Sequence, residues 1–239
     1  MNRHHFLLRR LHSLMGIIPI GAFLFEHLLT NSLAWLGKGA FNKQVHWLHE
    51  MHYLLVIEIV FIFLPLAFHA VYGVAIALTS KSNVQHYPYM DNWRYTLQRV
   101  TAWITIVFIV VHLLHFRFAH WLGGTMFPHT PDPFAVTQNG FLHLLMPAWL
   151  WFVIYAVGLI CAVYHFCNGI VTFCITWGIT VSDNSRRRMS VIAGVVGVVM
   201  LAWGGMSLYA LSRPAKTAAP AAHTAQVVPQ PADQAALPG

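Results

Sequence analysis

The sequence predicts an all-α integral membrane bundle of five transmembrane helices, and three observations carry that prediction. Of 239 residues, 57% are hydrophobic and only 9% are charged, whereas a soluble domain carries about 25% charged residues. Mean hydropathy is +0.59, so the bilayer must be the solvent for most of the chain. Finally, five apolar stretches each reach the roughly 20 residues that a helix needs to cross a hydrocarbon core. Lipid offers backbone N–H and C=O groups no partners, so such runs must close their hydrogen bonds internally, as helices.

The spans are expected over Leu11–Leu36, Tyr53–Thr79, Val100–Leu122, Leu144–Ile179 and Met189–Leu211. The first follows a basic N-terminus, but its apolar run is too long for a signal-peptide core of about 7–15 residues. It is therefore a retained span. The fourth is too long for one crossing and too short for two with a turn, which predicts one tilted helix protruding from the membrane. Connections fall at Gly37–His52, Ser80–Arg99, Gly123–His143 and Thr180–Arg188. Prolines, glycines and Asp132 make Gly123–Gly140 a loop on this reading. The membrane domain is then 1–211, and the Ala/Pro-rich stretch 212–239 is a disordered tail.

Orientation follows from Lys and Arg placement. With the N-terminus inside, the inner side receives Arg3, Arg9, Arg10, Lys81, Arg94, Arg99 and Arg186–Arg188, and the outer side receives Lys38, Lys43, Arg117, Arg213 and Lys216. The excess lies inside, so the tail is expected outside. The net charge of +7 then reflects insertion, because no basic stripe on a soluble domain could serve nucleic acid. Cys161, Cys167 and Cys174 form neither a Cys-x-x-Cys pair nor a c-type haem attachment motif, and are expected to fill space as small apolar residues.

Histidine is the conspicuous residue, with 16 copies against 14 for Lys and Arg together. Polar residues inside a span are costly and mark function by default. His27, His69, His112 and His165 lie well within the first four spans, one in each; the fifth has none. At 1.5 Å per residue, His27 is expected about 24 Å and His112 about 17 Å from the inner edge, with His69 and His165 within about 3–6 Å of it. That sorting makes an outer pair, His27 with His112, and an inner pair, His69 with His165. Two histidines at one depth on different helices form the axial clamp of a six-coordinate haem, so two b-type haems are expected between the first four helices. Gly73 and Gly169 each follow an inner-pair histidine by four residues, where a glycine lets a flat macrocycle approach. The competing readings are core histidines bonded across helices, and a metal transporter. The latter needs converging carboxylates or thiolates, yet only Glu26 and Glu58 lie in spans. Glu58 is expected to be neutral or hydrogen-bonded.

Several strings around these histidines carry a resemblance. They are Arg9-Arg10-Leu11-His12-Ser13-Leu14-Met15-Gly16, Glu26-His27-Leu28, Phe68-His69-Ala70-Val71-Tyr72-Gly73, Leu97-Gln98-Arg99-Val100-Thr101, His165-Phe166-Cys167-Asn168-Gly169 and Thr176-Trp177-Gly178-Ile179-Thr180. Together, over residues 6 to 211, they resemble the di-haem cytochrome b membrane subunit of succinate dehydrogenase, of the single-anchor type. The resemblance implies a multi-pass protein of a bacterial cytoplasmic membrane that does not itself bind succinate. It implies flavoprotein and iron–sulfur subunits as partners. Electrons would pass from the iron–sulfur subunit through the inner haem and then the outer haem to menaquinone or another quinone. It implies His27, His69, His112 and His165 as haem-iron ligands. A fumarate reductase anchor, or that of another membrane oxidoreductase, is the alternative. One fumarate reductase branch carries a glutamate just before the fourth-helix ligand; here those positions are Ala162-Val163-Tyr164, which favours succinate dehydrogenase.

Arg9, Arg10, His12, Arg94 and Arg99 near the inner edge are candidates for haem propionates, and equally for membrane-edge anchoring. His12 and Ser13 also stand where a quinone would approach from inside. Glu26, His46, His49, Glu50, His115 and Arg117 mark the outer end, where a quinone that accepts the electrons is expected to exchange protons. Trp35, Trp47, Trp93, Trp121, Trp149 and Trp177 flank spans as an interfacial belt.

Overall fold

The computed structural model describes residues 3–122, 130–143 and 145–213; the sequence expected to form the tail lies outside them from residue 214 onward. Among the described residues the structure is helical without strands, and five helices are long and apolar enough to cross a membrane. These are His4–Leu36, Leu54–Leu78, Met90–Arg117, Ala148–Thr176 and Asp183–Leu211. Below, the near end is the one that carries the chain's N-terminus, and the far end is opposite.

The first span is α1 (Arg3–Ile17) and α2 (Pro19–Ser32), finished by a 3-10 turn at Leu33–Leu36. Pro19 has no N–H to give Met15, which loosens the ladder at this point. Ile18 N–H to Leu14 (2.9 Å) and Ala22 N–H to Ile18 (3.1 Å) carry it through. The short α3 (Lys38–His49) follows at the far end. The second span is α4 (Leu54–Ile57), a π-helical stretch at Glu58–Phe63, and α5 (Leu64–Leu78). Pro65 withdraws a donor from the Phe61 carbonyl, and the widened turn before it absorbs that loss. The third span is α6 (Met90–His112), ending in a second π-helical turn at Leu113–Arg117; then come α7 (Pro133–His143), α8 (Ala148–Thr176) and α9 (Asp183–Leu211).

Three local features differ from the sequence expectation. The connection at Gly37–His52 contains α3, and the segment read as a loop through Gly140 becomes α7 from Pro133. The second change has a chemical cause. Pro133 is preorganised for a first helical position, and the Asp132 carboxylate accepts the N–H of Ala135 at 3.2 Å as an N-cap. Asp132 also accepts from Asn42 at 2.9 Å and pairs with Lys38 at 2.5 Å, which clamps α7 to α3. The third difference shortens the fourth span to 29 residues. Gly178, at φ +72°, takes a left-handed conformation. Its N–H reaches Ile175 at 3.1 Å and that of Ile179 reaches Cys174 at 2.8 Å, a Schellman stop. On the other side of this turn Ser182 and Ser185 form a capping box that starts α9.

The fourth span is the axis of the bundle. It is 28% buried over its apolar window, against 6% for each of the second and third spans, because α8 packs on α9, α6 and α1. At the far end Trp151 and Tyr155 from α8, Phe41 and Val45 from α3, and Leu208 and Leu211 from α9 form one core. The far end is thereby roofed by the two short helices.

Glu58 and Arg117, one from each π-helical turn, pair at 2.9 Å. Removing one member of a pair in a low-dielectric site strands the other charge. Arg117→Gln is therefore expected to lower the melting temperature in detergent more than the double variant Glu58→Gln/Arg117→Gln; a purely additive pair of effects would show no coupling. The Asp132 clamp has a defined acid limit. Burial pushes its carboxyl up, but the bonds from Lys38 and Asn42 outweigh this and hold it below its ordinary value. A depressed folded value gives stability that is present above the unfolded value of about 3.9 and lost as pH falls through the folded one. Proteolysis at the α3–α7 clamp should therefore rise only below about pH 4, and Asp132→Asn should remove that acid step.

Candidate functional site

Each of the first four spans contributes one histidine to a crossed ring pair inside the bundle. The His69 and His165 rings lie 6.1 Å apart between centroids and cross at 84°, and the His27 and His112 rings lie 5.6 Å apart and cross at 83°. His69 stands nine residues before the helix end at Leu78 and His165 eleven before Thr176. At 1.5 Å per residue that is about 14 and 17 Å of rise, deeper than the 3–6 Å expected. The expected span ends at Thr79 and Ile179 already lay beyond that figure, and the observed helices end slightly earlier. The pairs nevertheless occupy separate levels, with His69/His165 nearer the N-terminal end.

The ring nitrogens of the near pair are held by backbone. His69 Nδ1 lies 2.9 Å from the carbonyl oxygen of His12, and His165 Nδ1 lies 3.1 Å from that of Gln98. A carbonyl only accepts, so His69 Nδ1 carries the proton and its Nε2 keeps a lone pair. The same holds for His165 where Nδ1 bonds the Gln98 carbonyl, although the Gln98 amide nitrogen also lies 3.2 Å from that Nδ1 as a competing donor. Each carbonyl belongs to a helix and is reached past the side chain four residues on. Those positions are Gly16 and Ala102, small enough to let an imidazole in. At Gly16 the fit is tight: a Cβ there would lie 2.5 Å from His69 Cε1. A side-chain chain braces the other ligand. Arg94 Nε donates to Asn168 Oδ1 at 3.0 Å, Asn168 Nδ2 to Gln98 Oε1 at 2.7 Å, and Gln98 Nε2 to the His165 carbonyl at 3.0 Å.

The far pair is held by side chains. His112 Nδ1 lies 3.3 Å from the Tyr155 hydroxyl, and His27 Nδ1 lies 3.4 Å from Asn31 Nδ2 one turn on, an amide nitrogen that can only donate to it. Asn31 is itself anchored on the His27 carbonyl at 2.8 Å.

These residues fit a haem. A metal–imidazole bond of about 2.0–2.1 Å, with a ring centre about 1.1 Å behind its nitrogen, puts two axial imidazole centroids about 6 Å apart. Both pairs match. Among the described residues no three His, Cys, Asp or Glu side chains converge as they would on a bare ion; two ligands suffice for an iron already held in a macrocycle. The near end also offers charge. The Nε atoms of Arg10 and Arg99 are buried without a hydrogen-bond partner, beside the two carbonyls that hold the near pair, where anionic propionates would meet them.

Other candidates take different places. His12 stacks on His69 at 4.1 Å, nearly parallel. Its ring fills the space in front of Gly73, where a Cβ would lie 3.0 Å from His12 Nε2. So Gly73 accommodates His12, and the glycine that touches the near pair is Gly16. Gly169 meets only Ile17 and Gln98, at ordinary contact distances of 3.7 and 3.9 Å. Ser13 accepts from Trp177 Nε1 at 3.1 Å and donates to the Arg10 carbonyl at 2.9 Å, and Arg10 lies over the Trp177 ring. Trp177 therefore ties α1 to the end of α8 besides flanking a span. Arg9 is exposed, and Arg94 serves the Asn168 chain. At the far end Glu26 accepts from Thr30 at 2.5 Å, His46 lies 3.4 Å from the Pro131 carbonyl, Glu50 is exposed and Arg117 pairs with Glu58. His115, read from sequence as a proton-exchanging group, is only 3% exposed. Sequence reasoning assigned no role to Gln98, Asn168 or Asn31, although each lies in a quoted string or one turn from a ligand. Tyr155 had no signal at all.

No protein-family model matches the chain. Over 205 residues, covering 86% of this chain and 96% of the relative, it is 40% identical to the succinate dehydrogenase cytochrome b558 subunit of Bacillus subtilis (strain 168).

The tight contact at Gly16 gives a specific test. Gly16→Ala must push the His69 ring off the His12 carbonyl and, if each histidine pair holds a haem, is expected to reduce the b-type absorbance of the near site while sparing the far one. Gly194→Ala, where nothing lies within 4 Å, should leave both unchanged. Equal loss at both sites in Gly16→Ala would point to general misfolding instead.

Proposed function

Because the chain belongs to the family of succinate dehydrogenase cytochrome b membrane subunits, we propose that it holds two b haems, one between His69 and His165 and one between His27 and His112. When bound, these haems supply one-electron transfer between the iron–sulfur subunit of the complex and a quinone. The observation that carries the reading is the paired geometry: one histidine from each of four spans, at two levels, with the rings of the two pairs crossed at 6.1 and 5.6 Å.

The chain's own residues then have definite tasks. The His12 and Gln98 carbonyls hold the near imidazoles in the tautomer that leaves Nε2 free, which also makes them stronger donors. Arg10 and Arg99 neutralise propionates. The basic connections Ser80–Arg99 and Thr180–Arg188, with the N-terminus, form the cytoplasmic face on which the iron–sulfur and flavoprotein subunits dock, because the donor must approach the near haem. The C-terminal end then lies outside. Menaquinone, or another quinone, binds near the far haem, where Glu26, His46 and Glu50 stand between it and the outer aqueous phase and can carry its protons. The name of the relative and the absence of a carboxylate at Ala162-Val163-Tyr164 favour succinate oxidation over an anchor of another oxidoreductase.

The test is the assembled complex. Purified with its soluble subunits, it should show two b-type components in a reduced-minus-oxidised spectrum. Replacing His69 or His165 should abolish one, and replacing His27 or His112 the other. A His27 variant that lost the near haem and kept the far one would overturn the pairing. The crossed rings add a spectroscopic expectation. Perpendicular axial planes leave two iron dπ orbitals nearly degenerate, so both oxidised haems should give strongly anisotropic low-spin resonances. Succinate:quinone activity should fall in Glu26 or Glu50 variants that keep both haems; full activity there, with a quinone-site inhibitor shifting only the near haem's signal, would move the quinone site to the Arg10–Ser13 side.

A further inference from the structure

The far ligand His112 is linked to a residue that the electron-transfer reading leaves without a task. His115 is buried at 3% exposure, with its ring stacked on Trp151 at 3.9 Å and on Phe116 at 4.4 Å. Its Nε2 lies 3.0 Å from the carbonyl oxygen of Gly140 in α7, and its Nδ1 lies 2.9 Å from the Tyr155 hydroxyl. The same hydroxyl lies 3.3 Å from His112 Nδ1. The direction of this series is set at one end. A carbonyl cannot donate, so His115 Nε2 carries a proton, and in the neutral ring Nδ1 is then an acceptor. The Tyr155 O–H turns to Nδ1, and the phenolic oxygen presents its lone pairs to His112. His112 Nδ1 must then be the donor, which leaves His112 Nε2 unprotonated.

We infer that Tyr155 and His115 are positioning residues that set the tautomer and donor strength of His112, through a hydrogen-bond relay anchored on the Gly140 carbonyl of α7. The inference rests on His112 being a far-haem ligand, as proposed above. It separates the two sites chemically. The near ligands give their Nδ1 protons directly to backbone carbonyls, whereas His112 gives its proton to a phenol whose acceptor strength depends on a second imidazole. Hydrogen bonds in such a chain polarise one another, so the orientation of α7, clamped to α3 through Asp132, is coupled to the far ligand. The plain alternative is that Tyr155 and His115 only satisfy each other's buried polar atoms, with no influence on His112.

The experiment uses the assembled complex and titrates each haem optically against potential, with electron paramagnetic resonance of the oxidised form. An acceptor at Nδ1 strengthens an imidazole ligand and favours the ferric state, so removing it should favour reduction. Tyr155→Phe is expected to raise the far haem's reduced-to-oxidised ratio at a fixed potential about tenfold, about 59 mV for a one-electron couple. The near haem should not move. His115→Leu should shift the far haem the same way by a smaller factor, because Tyr155 loses the acceptor that polarises it. His115→Gln, whose amide oxygen can accept from Tyr155, should return it toward wild type. An unmoved far haem in Tyr155→Phe, or equal movement of both haems, would overturn the relay. Should Tyr155→Phe lose the far haem altogether, the His115 pair decides: Gln as displaced as Leu would overturn it. A His112 variant that retained the far haem would instead remove the ligand assignment on which the relay stands.

Discussion

An imidazole in hydrocarbon has two nitrogens to satisfy, and this requirement shapes the interior of the bundle. A neutral histidine carries one N–H, which is costly to bury without an acceptor. If the other nitrogen is to bind a metal, the acceptor must also choose which nitrogen keeps the proton. Helix carbonyls are abundant here, but each already accepts an N–H along its own helix and is screened by the side chain four residues on. The near pair overcomes that screen at Gly16 and Ala102. His69 thus reaches the His12 carbonyl at 2.9 Å and His165 the Gln98 carbonyl at 3.1 Å. These approaches lie at the contacts of α1 with α5 and of α6 with α8.

Much of the fold is legible in the sequence because lipid imposes coarse rules. Long apolar runs must be helices, and their number follows directly from hydropathy. What was not legible depends on single residues acting against the run. Pro65 opens a π-helical turn inside an otherwise unbroken apolar span, and Gly178 stops α8 inside another. Asp132 is the sharper case. Read beside three prolines it signals a loop, but set immediately before Pro133 it is an N-cap, and its further bonds to Lys38 and Asn42 join segments about 90 residues apart in sequence. Helix capping from neighbouring residues can be read locally; a clamp to a distant helix cannot.

The candidate site divides in the same way. Histidine depth needs only position and helix rise, so the two levels are visible in the sequence, although their distance from the helix ends was underestimated. Gly16 and Gly73 show the limit. Both follow a histidine by four residues, and spacing alone suggested room for a macrocycle at Gly73. In the structure Gly73 faces the His12 ring, while Gly16 makes room for His69 from a different helix. Spacing identifies which residues share a face, but the occupant of that face comes from the partner helix. Tyr155 is the extreme: ten residues from His165 on α8, it serves His112 on α6, and no local pattern announces it.

The two levels also differ in what surrounds them. The near pair is held by main chain, within helices whose geometry is fixed by their own ladders, and two half-buried arginines, each with its Nε buried, stand beside it. The far pair is held by Asn31 and Tyr155, under a roof made of α3 and α7 and fastened by Lys38, Asn42 and Asp132. On the proposed ligation, a histidine held by the main chain would keep one donor strength, while one held through a phenol and a second imidazole would follow the packing of the roof. The far level is the one at which the bundle can be adjusted from outside without moving a span.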